Sequence, residues 1–231
     1  MKKAIAALMV FATLLLSSCG LNNMFSRNQS ASPSSGATPS SNRYGSPTAS
    51  PQNTQTPLTS SELSYFSAYF EDPQNNGFLL SNYAKPSEID LDALFYTGAG
   101  IASDGQDISP NEQQAFMDAY ELDSIDGDLL KLSTKQINDY LKEKAGVTLS
   151  QISGKLHWLY IQKYDAYYSM VFDTNYGFFN CVSGYKTSDG TYVIQCEDNP
   201  EYGQQIDSCV VTLHQSGDSY MFVSNKAHMV Y

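Results

Sequence analysis

Acidic residues are missing from the first 61 positions: all 24 lie from Glu62 onward. Arginine is missing from the remainder, because Arg27 and Arg43 both fall in the acid-free part. After residue 60, nine lysines therefore face 24 acids, a balance of −15. Arginine's planar fork is the side chain best matched to phosphate, and a surface of that charge repels phosphodiesters and anionic headgroups. Nucleic acid is excluded as a partner. The chain also lacks the roughly 20 consecutive apolar residues that a membrane-spanning helix needs. Its one apolar run, residues 4–16, contains Thr13 and stops at Ser17. Histidine is scarce: His157, His214 and His228 share no HExxH spacing, and neither a Gly-x-Ser-x-Gly elbow nor a phosphate loop occurs. No catalytic motif is visible and no cofactor is implied.

What is present begins at the N-terminus. Met1, Lys2 and Lys3 give a positive start, the apolar run follows, and the small residues Ser17 and Ser18 precede Cys19. That order is a secretory signal rather than an anchor helix. Leu16-Ser17-Ser18-Cys19 resembles the bacterial lipobox. The resemblance implies cleavage between Ser18 and Cys19, with a diacylglyceryl group on the Cys19 sulfur. Each buried CH₂ contributes about 0.8 kcal/mol, so two long chains hold a protein at a membrane where one only dwells.

Residues 19–58 form a Ser/Thr/Pro/Asn/Gln-rich tether with prolines at 33, 39, 47, 51 and 57. Such a composition buries too little apolar surface to offset its ordering entropy. A flexible coil of roughly 40 residues averages about 35 Å end to end, and prolines extend it. Residues 59–231 are expected to form a single domain.

The first half of that domain carries helix starts. Thr59…Glu62, Ser109…Glu112, Ser133…Gln136 and Thr148…Gln151 each fit a capping box, with apolar residues following at helical spacing. A further short helix is expected from Ser87 through Phe95. The second half changes period. Residues 166–172, 176–185, 191–197, 207–214 and 219–224 are short, β-branched and aromatic, and Ser188-Asp189-Gly190 and Ser216-Gly217-Asp218 stand at hairpin turns. A sixth strand is expected near Trp158. The fold class is α+β: an N-terminal helical layer packed on a C-terminal antiparallel meander of about five strands, preceded by the signal peptide and tether.

Candidate chemistry is sparse. Cys181, Cys196 and Cys209 fall on strand positions that look buried; a single bridge is geometrically open to them, but three reduced thiols packing as small hydrophobes is the favoured reading. Asp123 to Asp128 and Asp104 to Asp107 fail calcium-loop spacing and read as capped turns, so no metal site is assigned. Eleven acids from Glu88 to Asp128 run without a basic residue between them, and read as a solvated face. Aromatics crowd residues 157–185, and Trp158, Tyr160 and Tyr164 are the candidate ligand-binding residues, since such rings stack on sugars or prolines. Adjacent Tyr167 and Tyr168 must point to opposite faces of a shared strand.

"SEIDLDALFYTGAG", "TKQINDYLKEKAGVTLSQI" and "YDAYYSMVFDTNYGF" resemble a group of uncharacterised lipoproteins of Gram-positive anaerobes. The resemblance implies an anchored extracytoplasmic protein and carries over no catalytic residue. The expected function is a lipid-anchored module on the extracytoplasmic face of the cell membrane that binds a protein, glycan or small solute. A surface hydrolase drawing on the acids of residues 88–128, or a component of a membrane assembly, is the alternative.

Overall fold

In the computed structural model, which describes residues 54–172, 178–198 and 206–229, the first helix begins where its cap predicts. Ser18, Cys19, Tyr176 and the tether up to residue 53 lie outside the described residues. Thr59 Oγ1 accepts from the Glu62 N–H at 3.3 Å while Glu62 Oε2 accepts from the Thr59 N–H at 2.8 Å. These reciprocal bonds satisfy two orphan donors and open α1 (Ser60–Glu71). The same arrangement opens α4 (Pro110–Tyr120) at Ser109 and α5 (Thr134–Ala145) at Ser133; at Thr148, before a 3-10 turn, Leu149–Gln151, the Gln151 side chain accepts the Thr148 N–H at 2.8 Å while the Gln151 N–H donates to the Thr148 carbonyl. Between them lie α2 (Pro73–Asn76) and α3 (Leu91–Leu94). Helix α5 stops at Gly146, whose φ of +68° suits a residue without Cβ.

The helix expected from Ser87 through Phe95 is divided. A 3-10 turn covers Pro86–Glu88, Ile89 is extended (ψ 132°), and α3 starts afresh at Asp90. The Asp90 carboxylate accepts from the Asp92 and Ala93 N–H groups at 3.0 and 3.2 Å, which makes it the effective cap.

Among the described residues, eight strands form two antiparallel sheets. The larger takes β1 (Gln55–Pro57), β5 (Phe179–Thr187), β6 (Thr191–Asp198), β7 (Ile206–Ser216) and β8 (Ser219–Met229) in the order β1-β5-β6-β7-β8. The smaller takes β2 (Asp128–Ser133), β3 (Leu159–Ile161) and β4 (Ala166–Val171) in the order β2-β4-β3. This is the expected α+β class, a five-stranded antiparallel sheet in the C-terminal half with helices before it. Two details depart from expectation. Residues 166–171 leave the meander for the second sheet, and the fifth place in the first sheet goes to β1, from the end of the segment read as tether. There Thr56 stands opposite Lys186 and Leu58 is buried.

Alternation decides what each strand buries. Tyr192, Ile194 and Cys196 of β6 and Cys209, Val211 and Leu213 of β7 face the helices and lie in the main core. Phe66 of α1 meets Tyr192 and Tyr220 with centroids 5.4 and 5.1 Å away, and Phe222 stacks on Phe78 at 4.0 Å. A second, smaller core gathers Ile108, Phe116, Leu129, Ala166 and Tyr168 between α4 and the small sheet. The small sheet thus has a core on each side: Leu132 and Tyr167 belong with the first, Leu129 and Tyr168 with the second. Tyr167 and Tyr168 do point to opposite faces.

Candidate functional site

The geometry that builds a site is the early end of β3. It pairs with β4 only as far as Leu159 opposite Tyr168, while β4 runs on through Ser169, Met170 and Val171 against β2. Where β3 is absent, His157 and Trp158 come in from the side, and α4 supplies Phe116 and Tyr120. The result is a cavity of about 280 Å³ lined also by Leu122, Tyr168, Ser169 and Met170. Its walls are mainly rings and a thioether. The imidazole of His157 is the polar group at its mouth.

His157 is held from a distance in sequence. The carboxylate of Asp92, in the first turn of α3, accepts the His157 backbone N–H at 2.8 Å and also contacts ring Nδ1. A carboxylate on Nδ1 fixes the ring orientation and leaves Nε2 for another group, as acceptor in the neutral ring and donor in the cation. His157 sits at the rim, its side chain 77 % exposed.

Behind the cavity wall lies a closed polar cluster. Tyr168 donates its hydroxyl to Glu112 Oε1 at 2.7 Å, and Lys131 Nζ meets the same oxygen at 2.5 Å. The Ser109 hydroxyl and N–H donate to Oε2 at 2.6 and 3.0 Å. Burial alone would push the Glu112 carboxyl up; the bonds from Lys131, Ser109 and Tyr168 outweigh it and hold the group down to about 2. Burial, then the carboxylate partner, push the Tyr168 phenol up. Glu112 is an ionised anchor for the Tyr168 ring.

Of the aromatic residues singled out from sequence, Trp158 lines the cavity and the other two do not. Tyr160 donates to Asp165 Oδ1 at 2.9 Å and lies against Tyr167, ring centroids 4.9 Å apart. Tyr164 packs against the second core with Lys163 Nζ 4.9 Å above its ring. The acids of residues 88–128 are dispersed in local roles: Asp90 and Asp104 hold turns, Asp92 holds His157, Glu88 pairs with Lys85, and Glu112 pairs with Lys131. Among the described residues no cluster of three or more His, Cys, Asp or Glu is placed to hold a metal ion. Nor is any described helix long and apolar enough to cross a membrane.

Sequence reasoning missed His157 with Asp92, Phe116, Tyr120 and Met170 as parts of one site. Asp92 and His157 are 65 positions apart, so no local spacing advertises them. The adjacency of His157 to the chain's one tryptophan was the available signal. Comparison with known proteins finds no matching family model, no matching curated protein and no matching solved structure.

Proposed function

We propose that this chain is a lipid-anchored extracytoplasmic lipoprotein, held at the cell membrane through Cys19, that binds a small ligand in the cavity walled by Phe116, Tyr120, Trp158 and Met170. The address rests on the signal pattern and on the Leu16 to Cys19 resemblance. The binding reading rests on one observation, an aromatic cavity with a carboxylate-oriented histidine at its mouth. At about 280 Å³ it is smaller than most drug-sized pockets and takes one ring with small substituents. Apolar walls suit a flat ring face, and the His157 imidazole at the mouth suits a hydrogen-bonding edge. A free sugar or the terminal ring of a glycan has that chemistry.

Trp158 is the only tryptophan among 231 residues, so its emission reports directly on the cavity. Titrating the full chain with a panel of monosaccharides and short glycans is expected to give a saturable change in emission. In Tyr120→Ala that affinity should fall about tenfold, with Tm little changed because Tyr120 is 52 % exposed. A panel that leaves Trp158 emission flat refutes the binding reading. Membrane fractionation tests the address separately: Cys19→Ser should lose the lipid mass and move to the soluble fraction.

A further inference from the structure

Cys181, Cys196 and Cys209 stand side by side on the helix-facing side of β5, β6 and β7, Cys181 opposite Cys196 and Cys196 opposite Cys209. All three are free thiols, and the Cys181 and Cys196 sulfurs are 3.4 Å apart.

The two neighbouring pairs are not equivalent. The Cys181 N–H donates to Ser67 Oγ on α1 at 2.9 Å, so it does not bond across to Cys196. An extended residue aims its N–H and C=O to the same side, which makes Cys181 and Cys196 a non-hydrogen-bonded pair. Cys196 then directs its backbone groups towards β7, and its pairing with Cys209 is of the hydrogen-bonded type. Non-hydrogen-bonded pairs bring Cα atoms to about 4.5 Å, hydrogen-bonded ones to about 5.5 Å. The closer side chains belong to the first pair, next to the register shift between Cys181 and Ser183, and a bridge would close its sulfurs from 3.4 Å to about 2.05 Å.

We propose that Cys181 and Cys196 are an oxidisable pair: Cys181 attacks a small disulfide such as oxidised glutathione, and Cys196 resolves the adduct into a bridge across β5 and β6. The Cys181 thiolate forms a bond to one sulfur of the donor and expels the other half as a thiolate, which takes up the proton Cys181 lost. Cys196 then attacks the Cys181 sulfur, and the second half leaves as a thiol. Two protein thiols are oxidised, and one donor disulfide is reduced to two thiols. The order follows from access, since Cys181 is 8 % exposed against 2 % for Cys209 and 0 % for Cys196. It also follows from titration. The contact with the Cys196 sulfur, opposed by burial and aided by Ser67, holds Cys181 below the ordinary thiol value. Cys196, facing Cys181 and Cys209 and buried, is pushed up. Cys209 is the spectator. None of this depends on the proposed address or ligand.

The test is a peptide map of the reduced full chain equilibrated with oxidised glutathione, then unfolded, alkylated and digested. The expected product links the Cys181 and Cys196 peptides and leaves Cys209 alkylated. Cys196→Ser is expected to stop at glutathione on Cys181, and Cys209→Ser to bridge as the parent does. Cys181, Cys196 and Cys209 all alkylated after equilibration, a Cys196 to Cys209 bridge, or glutathione on Cys209 in Cys196→Ser would each overturn the proposal. The parent map decides the pairing even where a variant folds poorly.

Discussion

Changing Glu112 to Gln removes a charge without changing much shape, and the structure fixes what that should do. Glu112 titrates near 4.5 in a free chain and is held down to about 2 in the fold, despite burial, by Lys131, Ser109 and Tyr168. At 1.36 kcal/mol per pH unit that difference corresponds to ~3 kcal/mol of stability at neutral pH. Water reaching the Lys131 side chain, 22 % exposed, screens part of it and leaves about 2 kcal/mol. Because the folded value is the lower one, this contribution is complete above about pH 4.5 and is lost as pH falls towards 2. Urea unfolding of parent and E112Q full chains at pH 7, 4 and 3 measures it, and the difference between the two cancels the titration of every other carboxylate. The gap should be about 2 kcal/mol at pH 7 and less than half of that at pH 3. Adding Lys131→Met to E112Q should recover part of the loss, since removing both charges costs less than stranding one. A gap that is absent at pH 7, or that stays constant down to pH 3, refutes the assignment.

Two further substitutions probe the main core. Phe222→Ala takes away the ring that stacks on Phe78 at 4.0 Å in a fully buried position, and should cost about 3–5 kcal/mol in urea unfolding. Gly77→Ala places a Cβ 2.3 Å from the Leu94 backbone oxygen, so the 3-10 turn Gly77–Leu79 and α3 must separate; the urea midpoint should fall by the equivalent of about 1–3 kcal/mol.

Helix starts were legible in the sequence because a capping box is a bond between residues three apart. Thr59, Ser109 and Ser133 cap where local chemistry says they should, and at Thr148 the Gln151 side chain returns to the backbone N–H. Strands 191–197, 207–214 and 219–224 were legible for the same reason, with alternation and Gly190 and Gly217 at the turns. Sheet membership was not. Alternation says which residues of 166–171 share a face, but β2 stands up to 43 positions away in the register, Asp128 opposite Val171. β2 itself was hidden by Asp128 and Lys131, charges that argue against a strand until Lys131 finds Glu112. The division at Ile89 shows the limit of local reading too, since Ser87 and Asp90 both look like caps and only Asp90 accepts the N–H groups of α3.

The cavity poses the question of binding against hydrolysis, and the described acids lend support to the binding reading proposed above. A general acid needs a carboxyl raised towards the working pH. The described carboxylates that the fold displaces all move the other way: Glu62 under Lys186 and Thr59, Glu112 under Lys131 and its hydroxyl partners despite burial, Asp165 under Thr134 and Tyr160, Asp207 under His228. A serine mechanism fares no better. Ser169 and His157 line one cavity, yet no hydrogen bond joins them among the described residues, and the nucleophile must meet its base. On the binding reading proposed above, Asp92 orients His157 as a contact for a ligand's edge, and the rings beside it would supply the face against which that ligand rests.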